Sequence, residues 1–181
     1  LLVNYLKGDS DNEGTLFRGR FNQYLGPIIN SSPQFVGVPN ELYPDLIAQT
    51  TPSGSTPSAT DPIRYSVFQK AKINRTALVY VGGNDGMLHA FEAGGVAVDG
   101  AGAETITGGN EVFAYIPSFL ENNIQDLSED SYAHRAYVDG TPTVRDVYLS
   151  PFVGERDSRR THFVVAARSG GRRIFVLDVT D

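Results

Sequence analysis

The stretch that decides the fold is Ala77 to Ala93, A-L-V-Y-V-G-G-N-D-G-M-L-H-A-F-E-A. Leu78 to Val81 is a β-branched and aromatic run that suits a strand. Asn84-Asp85-Gly86 carries turn chemistry, because Asn, Asp and Gly tolerate the positive φ that a hairpin turn needs. Met87 to Phe91 reads as the return strand. A lone two-stranded hairpin cannot bury its own faces, so the rest of the chain has to supply its neighbours.

One neighbour is a second copy of the same pattern. His162 to Ala167 and Arg173 to Asp178 form a hairpin across Ser169-Gly170-Gly171. V-Y-V-G-G-N-D-G-M-L-H-A-F-E-A lies over V-V-A-A-R-S-G-G-R-R-I-F-V-L-D-V with one residue inserted at the turn, and each copy has an acid (Glu92, Asp178) at the end of its apolar return strand. The preceding segments also match: S-S-P-Q-F-V at Ser31 to Val36 resembles G-T-P-T-V-R at Gly140 to Arg145. The repeating order is a strand opened by Ser/Thr-Pro, a hairpin, and an outer strand such as Glu111 to Pro117, where Val112, Ala114 and Ile116 alternate with Phe113 and Tyr115. That is the order of a four-stranded propeller blade. The spacing exceeds the usual blade period of ~40–50 residues, and the insertions Asn40–Pro62, Gly94–Asn110 and Ser118–Arg135 account for the excess. The expected fold is all-β: a β-propeller fragment of about two blades of four-stranded antiparallel sheet, with long insertions and one or two short helices. Residues 1–24 are a lead-in of helix end and loop, 25–136 a first blade with insertions, and 137–181 the start of a second blade that lacks its outer strand.

Composition agrees with this class. The chain has 181 residues, 40% of them hydrophobic, which supports a real core. Gly 19 and Pro 10 fit a turn-rich β fold. A net charge of −6 argues against wrapping nucleic acid, whose phosphates select basic surfaces. No apolar run approaches the ~20 residues of a membrane span. Cys and Trp are absent, which removes disulfides, thiolate nucleophiles and Cys-type zinc sites. The chain opens on L-L-V-N-Y-L without Met or signal peptide and stops after a strand-like run, so it reads as a piece of a longer protein.

Smaller features fill in the order. Leu1 to Lys7 reads as the last turns of a helix stopped by Gly8. Asp9-x-Asp11-x-Glu13-Gly14 has the look of a calcium loop, but Arg20 stands where the bidentate Glu belongs, so a solvated acidic turn is expected. Pro33 opens or bends the first strand. Thr50 to Pro62 is a Pro/Ser/Thr-rich surface loop, and Ile63 to Lys72 a short helix or irregular link. Phe119, Leu120, Ile124 and Leu127 have helical spacing, with Ser118 as N-cap. Tyr137 to Leu149 reads as two short strands about a turn, and Gly154 to Arg160 as a charged turn.

Candidate chemistry is sparse. His89, His134 and His162 have no metal-type spacing. His89 alternates with Met87 and Phe91 and is expected to face the core or a channel, while His134 and His162 are expected in loops or at strand edges. Asp85, Asp139 and Asp146 are expected to cap backbone amides in turns. No serine lies in a nucleophile-elbow context, and Gly82-Gly83 precedes a strand rather than a phosphate-binding helix. Arg156, Arg159, Arg160, Arg168, Arg172 and Arg173 are read as a solvated hairpin face, the sharper alternative being a patch for an acidic partner. No catalytic, cofactor-binding or metal residue is assigned.

Six motifs in order resemble the C-terminal β-propeller region of the PilY/PilC-type type IV pilus biogenesis and tip-adhesin proteins. They are L-V-N-Y-L-K-G-D (Leu2–Asp9), L-G-P-I-I-N-S-S-P-Q-F-V-G (Leu25–Gly37), the opening hairpin, F-A-Y-I-P-S (Phe113–Ser118), Y-V-D-G-T-P-T-V-R-D-V-Y (Tyr137–Tyr148) and I-F-V-L-D-V-T-D (Ile174–Asp181). The resemblance implies a secreted or cell-surface protein, at the pilus tip or outer membrane, that works with minor pilins. It implies roles in pilus assembly, opposition to retraction, adhesion to host or abiotic surfaces and twitching motility. It also implies a calcium-binding loop further along the propeller, on no residue of this chain. The alternative is a quinoprotein-like propeller dehydrogenase holding pyrroloquinoline quinone, a class that stacks its cofactor on a Trp. A third reading, a lectin-like propeller, needs exposed aromatic residues.

Overall fold

The computed structural model describes residues 1–45, 58–61, 64–149 and 158–181. Helix α1, Leu2–Leu6, is short and ends where Gly8 adopts φ +104°, a conformation glycine enters without Cβ strain. A loop then leads to β1, Gln34–Val36, which starts directly after Pro33. Helix α2, Tyr65–Ala71, follows the first insertion, and β2, Leu78–Gly82, and β3, Leu88–Glu92, form the expected hairpin. Strands β4, Gly95–Val98, and β5, Glu104–Thr107, precede β6, Glu111–Tyr115. The last third carries β7, Thr143–Leu149, β8, Ser158–Ala166, and β9, Ile174–Asp178.

The strands pair into a four-stranded sheet in the order β1-β2-β3-β6, a three-stranded sheet β7-β8-β9 and a separate β4-β5 hairpin. Every strand pairing is antiparallel. The first sheet is thus a full blade, and among the described residues the second is the same arrangement without an outer strand. The register equates the two: Gln34 faces Tyr80, which faces Ala90, and Thr143 faces Val164, which faces Val176. This corrects the sequence alignment by one position on the middle strand. Gly82 pairs with Leu88 and Ala166 with Ile174, so the second turn is two residues longer, not one.

The sheets pack face to face. Period-2 alternation sends Tyr80, Leu88 and Ala90 toward the second sheet, and Phe163 and Val165 back toward the first. The Tyr80 and Phe163 rings meet at 4.5 Å, and Tyr115 meets Phe175 at 5.7 Å. Leu88, Val138, Phe163 and Val165 have no exposed surface, and burying side chains of this size is worth roughly 1.5–3 kcal/mol each. Where the inner strands begin, equivalent residues touch across a sequence separation of 109. The Asn30 side-chain amide donates to Asp139 at 2.8 Å, and the Ser32 amide donates to the Thr141 hydroxyl at 3.0 Å.

Four expectations change. Ser118 to Leu127 forms no α-helix and Ser118 caps nothing. Its apolar residues reach the core from two 3₁₀ turns, Ser118–Leu120 and Ile124–Ser128, because Pro117 and two tight turns suffice to bring Leu120, Ile124 and Leu127 inward. Gly94 to Asn110 is an insertion that folds as the exposed β4-β5 hairpin. Tyr137 to Leu149 contains one strand, since residues before Thr143 cross the hairpin turns instead of pairing in a ladder. Ser158 to Arg160 begins β8 instead of finishing a turn, while Gly154 to Asp157 lie outside the described residues. Most of the Thr50–Pro62 loop also lies outside them.

Candidate functional site

The opening turn is buried, with Asn84 2% and Asp85 8% exposed. Two crossing segments cover it. From one side, the Gly26 amide donates to Asp85 Oδ2 at 2.7 Å and the Asn84 amide donates to the Pro27 carbonyl at 3.1 Å. From the other side, the Tyr137 amide donates to Asn84 Oδ1 at 3.1 Å. Asp85 Oδ1 also accepts from the Met87 amide at 3.2 Å. Asp85 is therefore an amide cap, as its place in the turn predicts. Gly82 and Gly140 are needed for close approach: a Cβ on Gly82 would stand 2.3 Å from the Val138 carbonyl oxygen, and one on Gly140 would stand 2.0 Å from that of Ala166.

Asp85 has a further partner. His89 is 3% exposed and lies between two carboxylates, with Nε2 3.0 Å from Asp85 Oδ2 and Nδ1 hydrogen-bonded to Glu111 Oε1. Burial disfavours the charged ring, but hydrogen bonds and charge from Asp85 and Glu111 outweigh it, and the pKa is raised above 6.5. An imidazolium donates on both sides here, whereas a neutral ring leaves one nitrogen facing an acceptor without a proton. The arrangement cross-links the turn, β3 and β6. Met87, His89 and Phe91 line a cavity of about 530 Å³ on the face away from the second sheet, roofed by α1 and Leu25. The sequence pattern placed His89 on this face, and the pairing of β3 with β6 supplied Glu111.

The acidic loop after α1 carries its own cation. Arg20, 8% exposed, donates from Nε to Glu13 Oε1 at 2.6 Å and from its backbone amide to Glu13 Oε2 at 3.0 Å. Its remaining donors reach the carbonyls of Tyr5 at 2.7 Å and Asp9 at 2.8 Å, and the guanidinium lies 3.9 Å over the Tyr5 ring. The residue that breaks the calcium-loop pattern thus occupies both oxygens of Glu13. Among the described residues, no three His, Asp or Glu side chains converge in a way that would hold a metal ion. His134 is exposed in a loop and His162 lies on β8, so the three histidines do not meet.

One polar cluster was missed in the sequence. Asp146 was expected to cap a turn, but it sits buried inside β7, where Oδ2 accepts from the Tyr65 hydroxyl at 2.6 Å and Oδ1 from Thr161 at 2.7 Å. Arg75 donates to Thr161 Oγ1 at 2.7 Å and to the Gly37 carbonyl. Desolvation and the hydrogen bond to Asp146 push the Tyr65 phenol well above its ordinary value. The Arg-rich segment is not one solvated face. Arg159 is buried with its guanidinium 5.2 Å over the Tyr65 ring, Arg160 pairs with Asp178 at 3.4 Å, and Arg173 lies 5.4 Å over Phe119. Arg156 lies outside the described residues.

A family model described as the PilY1 beta-propeller domain matches residues 25–181. The type IV pilus biogenesis factor PilY1 of Pseudomonas aeruginosa (strain PAK) is 39% identical over 184 residues, covering 99% of this chain and 13% of that protein. A type IV pilus biogenesis factor PilY1 homolog of Xylella fastidiosa is 34% identical over 183 residues, with the same coverages of 99% and 13%. The crystal structure of the Pseudomonas aeruginosa PilY1 C-terminal domain aligns with a TM-score of 0.41 at 37% identity, over 65% of this chain and 18% of that one. The chain therefore spans 13% of the length of these curated relatives.

Proposed function

The chain belongs to the PilY1 β-propeller family, and from that premise we propose that its protein is a non-enzymatic type IV pilus assembly and anti-retraction factor and a pilus-tip adhesin. This stretch is part of its propeller scaffold: a lead-in at 1–24, a first blade at 25–136 and the start of a second at 137–181. The observation that carries the reading is the match of residues 25–181 to the PilY1 propeller together with two equivalent sheets joined at Asn30–Asp139. The side chains that chemistry would need support a scaffold role. Asp85 and His89 are committed to each other, to backbone amides and to Glu111. The quinoprotein alternative is not supported, since the matching family model and the relatives named above are PilY1 proteins.

In this proposal the protein works at the cell surface or pilus tip with minor pilins and contacts a host or abiotic surface. Calcium regulation is part of the same proposal, with its loop elsewhere in the propeller. Among the described residues no helix is long and apolar enough to cross a membrane. The test is deletion of the gene, scored by pilus counts and twitching. Loss of surface pili, with recovery when the retraction motor is also disabled, is the expected result. Unchanged pili and motility in the deletion strain would overturn the reading.

A further inference from the structure

A second cavity, of about 230 Å³, lies between the lead-in and the opening turn. Arg18, Gln23, Tyr24, Tyr132 and His134 line it, and Asp85 and Arg20 reach its floor. Two of its charges are paired: Arg20 with Glu13, both of whose oxygens it occupies, and Asp85 with the His89 ring, which it shares with Glu111. Arg18 has no carboxylate within ion-pair distance among the described residues. Its Nε and Nη2 share one neutral acceptor, the Leu127 carbonyl, at 3.2 Å each, and its guanidinium is set 4.5 Å over the Tyr132 ring. These contacts, with the Tyr5 hydroxyl also in reach of the Arg18 side chain, fix the guanidinium in place at the cavity wall without a carboxylate beside it. In a chain of net charge −6, a positioned cation in a cavity selects an anion.

The remaining walls narrow the anion's class. Tyr24 is 41% exposed; the Arg20 guanidinium lies 5.0 Å over its ring and its hydroxyl donates to Asn22 Oδ1 at 3.0 Å, which leaves part of the ring surface open. Gln23 and His134 are exposed and bring amide and imidazole groups to the rim. Aromatic surface beside amide and imidazole donors suits the alternating CH faces and hydroxyls of a sugar ring. The volume is below the ~300–1,000 Å³ of sites for drug-sized molecules, so it suits a single ring. We propose that this cavity binds one acidic sugar residue, a hexuronate, with its carboxylate on Arg18 and its ring against Tyr24. This deepens the adhesin reading and rests on it for its biological use, while the binding itself is measurable without it.

The test is titration calorimetry of the full-length protein with galacturonate, galactose, acetate and inorganic phosphate. Galacturonate is expected to bind at least tenfold more tightly than the other three, and to weaken as salt rises. Arg18→Gln should weaken it at least tenfold, and Arg135→Gln, at an exposed ion pair with Asp126, should leave it unchanged. Because Arg18 also holds the Leu127 carbonyl, Tyr24→Ala serves as a second variant, expected to weaken binding severalfold with an unchanged thermal midpoint. No binding of galacturonate, equal binding of galactose, equal binding of acetate or phosphate (a simple anion site), or full affinity in both variants would each overturn the proposal. Pilus counts in the Arg18→Gln strain separate the two readings: normal pili with lost sugar binding leave the assembly role intact.

Discussion

The two blades place different residues at one equivalent position. His89 in the first sheet corresponds to Phe175 in the second, because Val81 faces His89 and Val165 faces Phe175 at the same step of the ladder. Phe175 packs against Tyr115 and Phe119, at 5.7 Å and 6.2 Å, because the first sheet covers that face. His89 looks into the 530 Å³ cavity under α1, where no sheet of the described residues lies against it, and two carboxylates hold it. The same backbone position is apolar where a blade covers it and polar where a loop does. What sits on a face decides which side chain the face can hold.

The turns make the same point. Each lead-in crosses its own hairpin: Gly26 and Pro27 cross the first turn, and a Cβ on Gly170 in the second would stand 1.8 Å from the Tyr137 carbonyl oxygen. The first turn is also crossed by the lead-in of the second blade, through Tyr137 and Val138. Gripped from both sides, Asn84 and Asp85 are buried, whereas Ser169 and Gly171 are exposed.

Exchanging the two residues breaks the comparison most sharply. Phe175→His places an imidazole among Tyr115 and Phe119 without carboxylates, and we expect a loss of about 3 kcal/mol in denaturant titration of the full-length protein. His89→Ala leaves Asp85 buried without its cation, and we expect about 2–3 kcal/mol in the same assay. Asn30→Ala removes the amide that joins the two blades at Asp139. Hydrogen bonds from Asn30 and Ser169 outweigh burial and hold that carboxyl below its ordinary value, so a loss of about 1–2 kcal/mol is expected. The smallest effect is a slope with pH. The raised pKa of His89 means that its contribution is fully present below about pH 6.5, its unfolded value, and is lost as pH rises through the folded value. The thermal midpoint of the wild type should therefore fall across that window more than that of His89→Gln. Equal slopes would show that the imidazole is neutral in the fold.

Much of the fold was legible in the chain. N-D-G and S-G-G mark two hairpins, the Ser/Thr-Pro pairs mark inner strands, and Asp85 reads correctly as an amide cap. The site was less so. Glu111 is 22 residues from His89, and the β-bulge at Ala90/Phe91 helps set which residue of β6 stands beside it. Asp146 looked like a turn acid because its acceptor role depends on Tyr65, 81 residues away on α2. The one-position slip on the middle strand was invisible for a related reason: small residues before both turns align equally well either way, and only the ladder register distinguishes them.

By itself the sequence determined the local conformations: where the chain turns, which runs alternate, and that one unit occurs twice. Those follow from φ preferences and side-chain period, which act over a few residues. Only the tertiary structure decided that Arg20 supplies the cation of an acidic loop, that Asp85, His89 and Glu111 form one unit, and that Arg18 lines a cavity with no carboxylate at ion-pair distance among the described residues. Those depend on which segments cross one another, and in a low-dielectric interior a charge takes its character from the groups brought beside it.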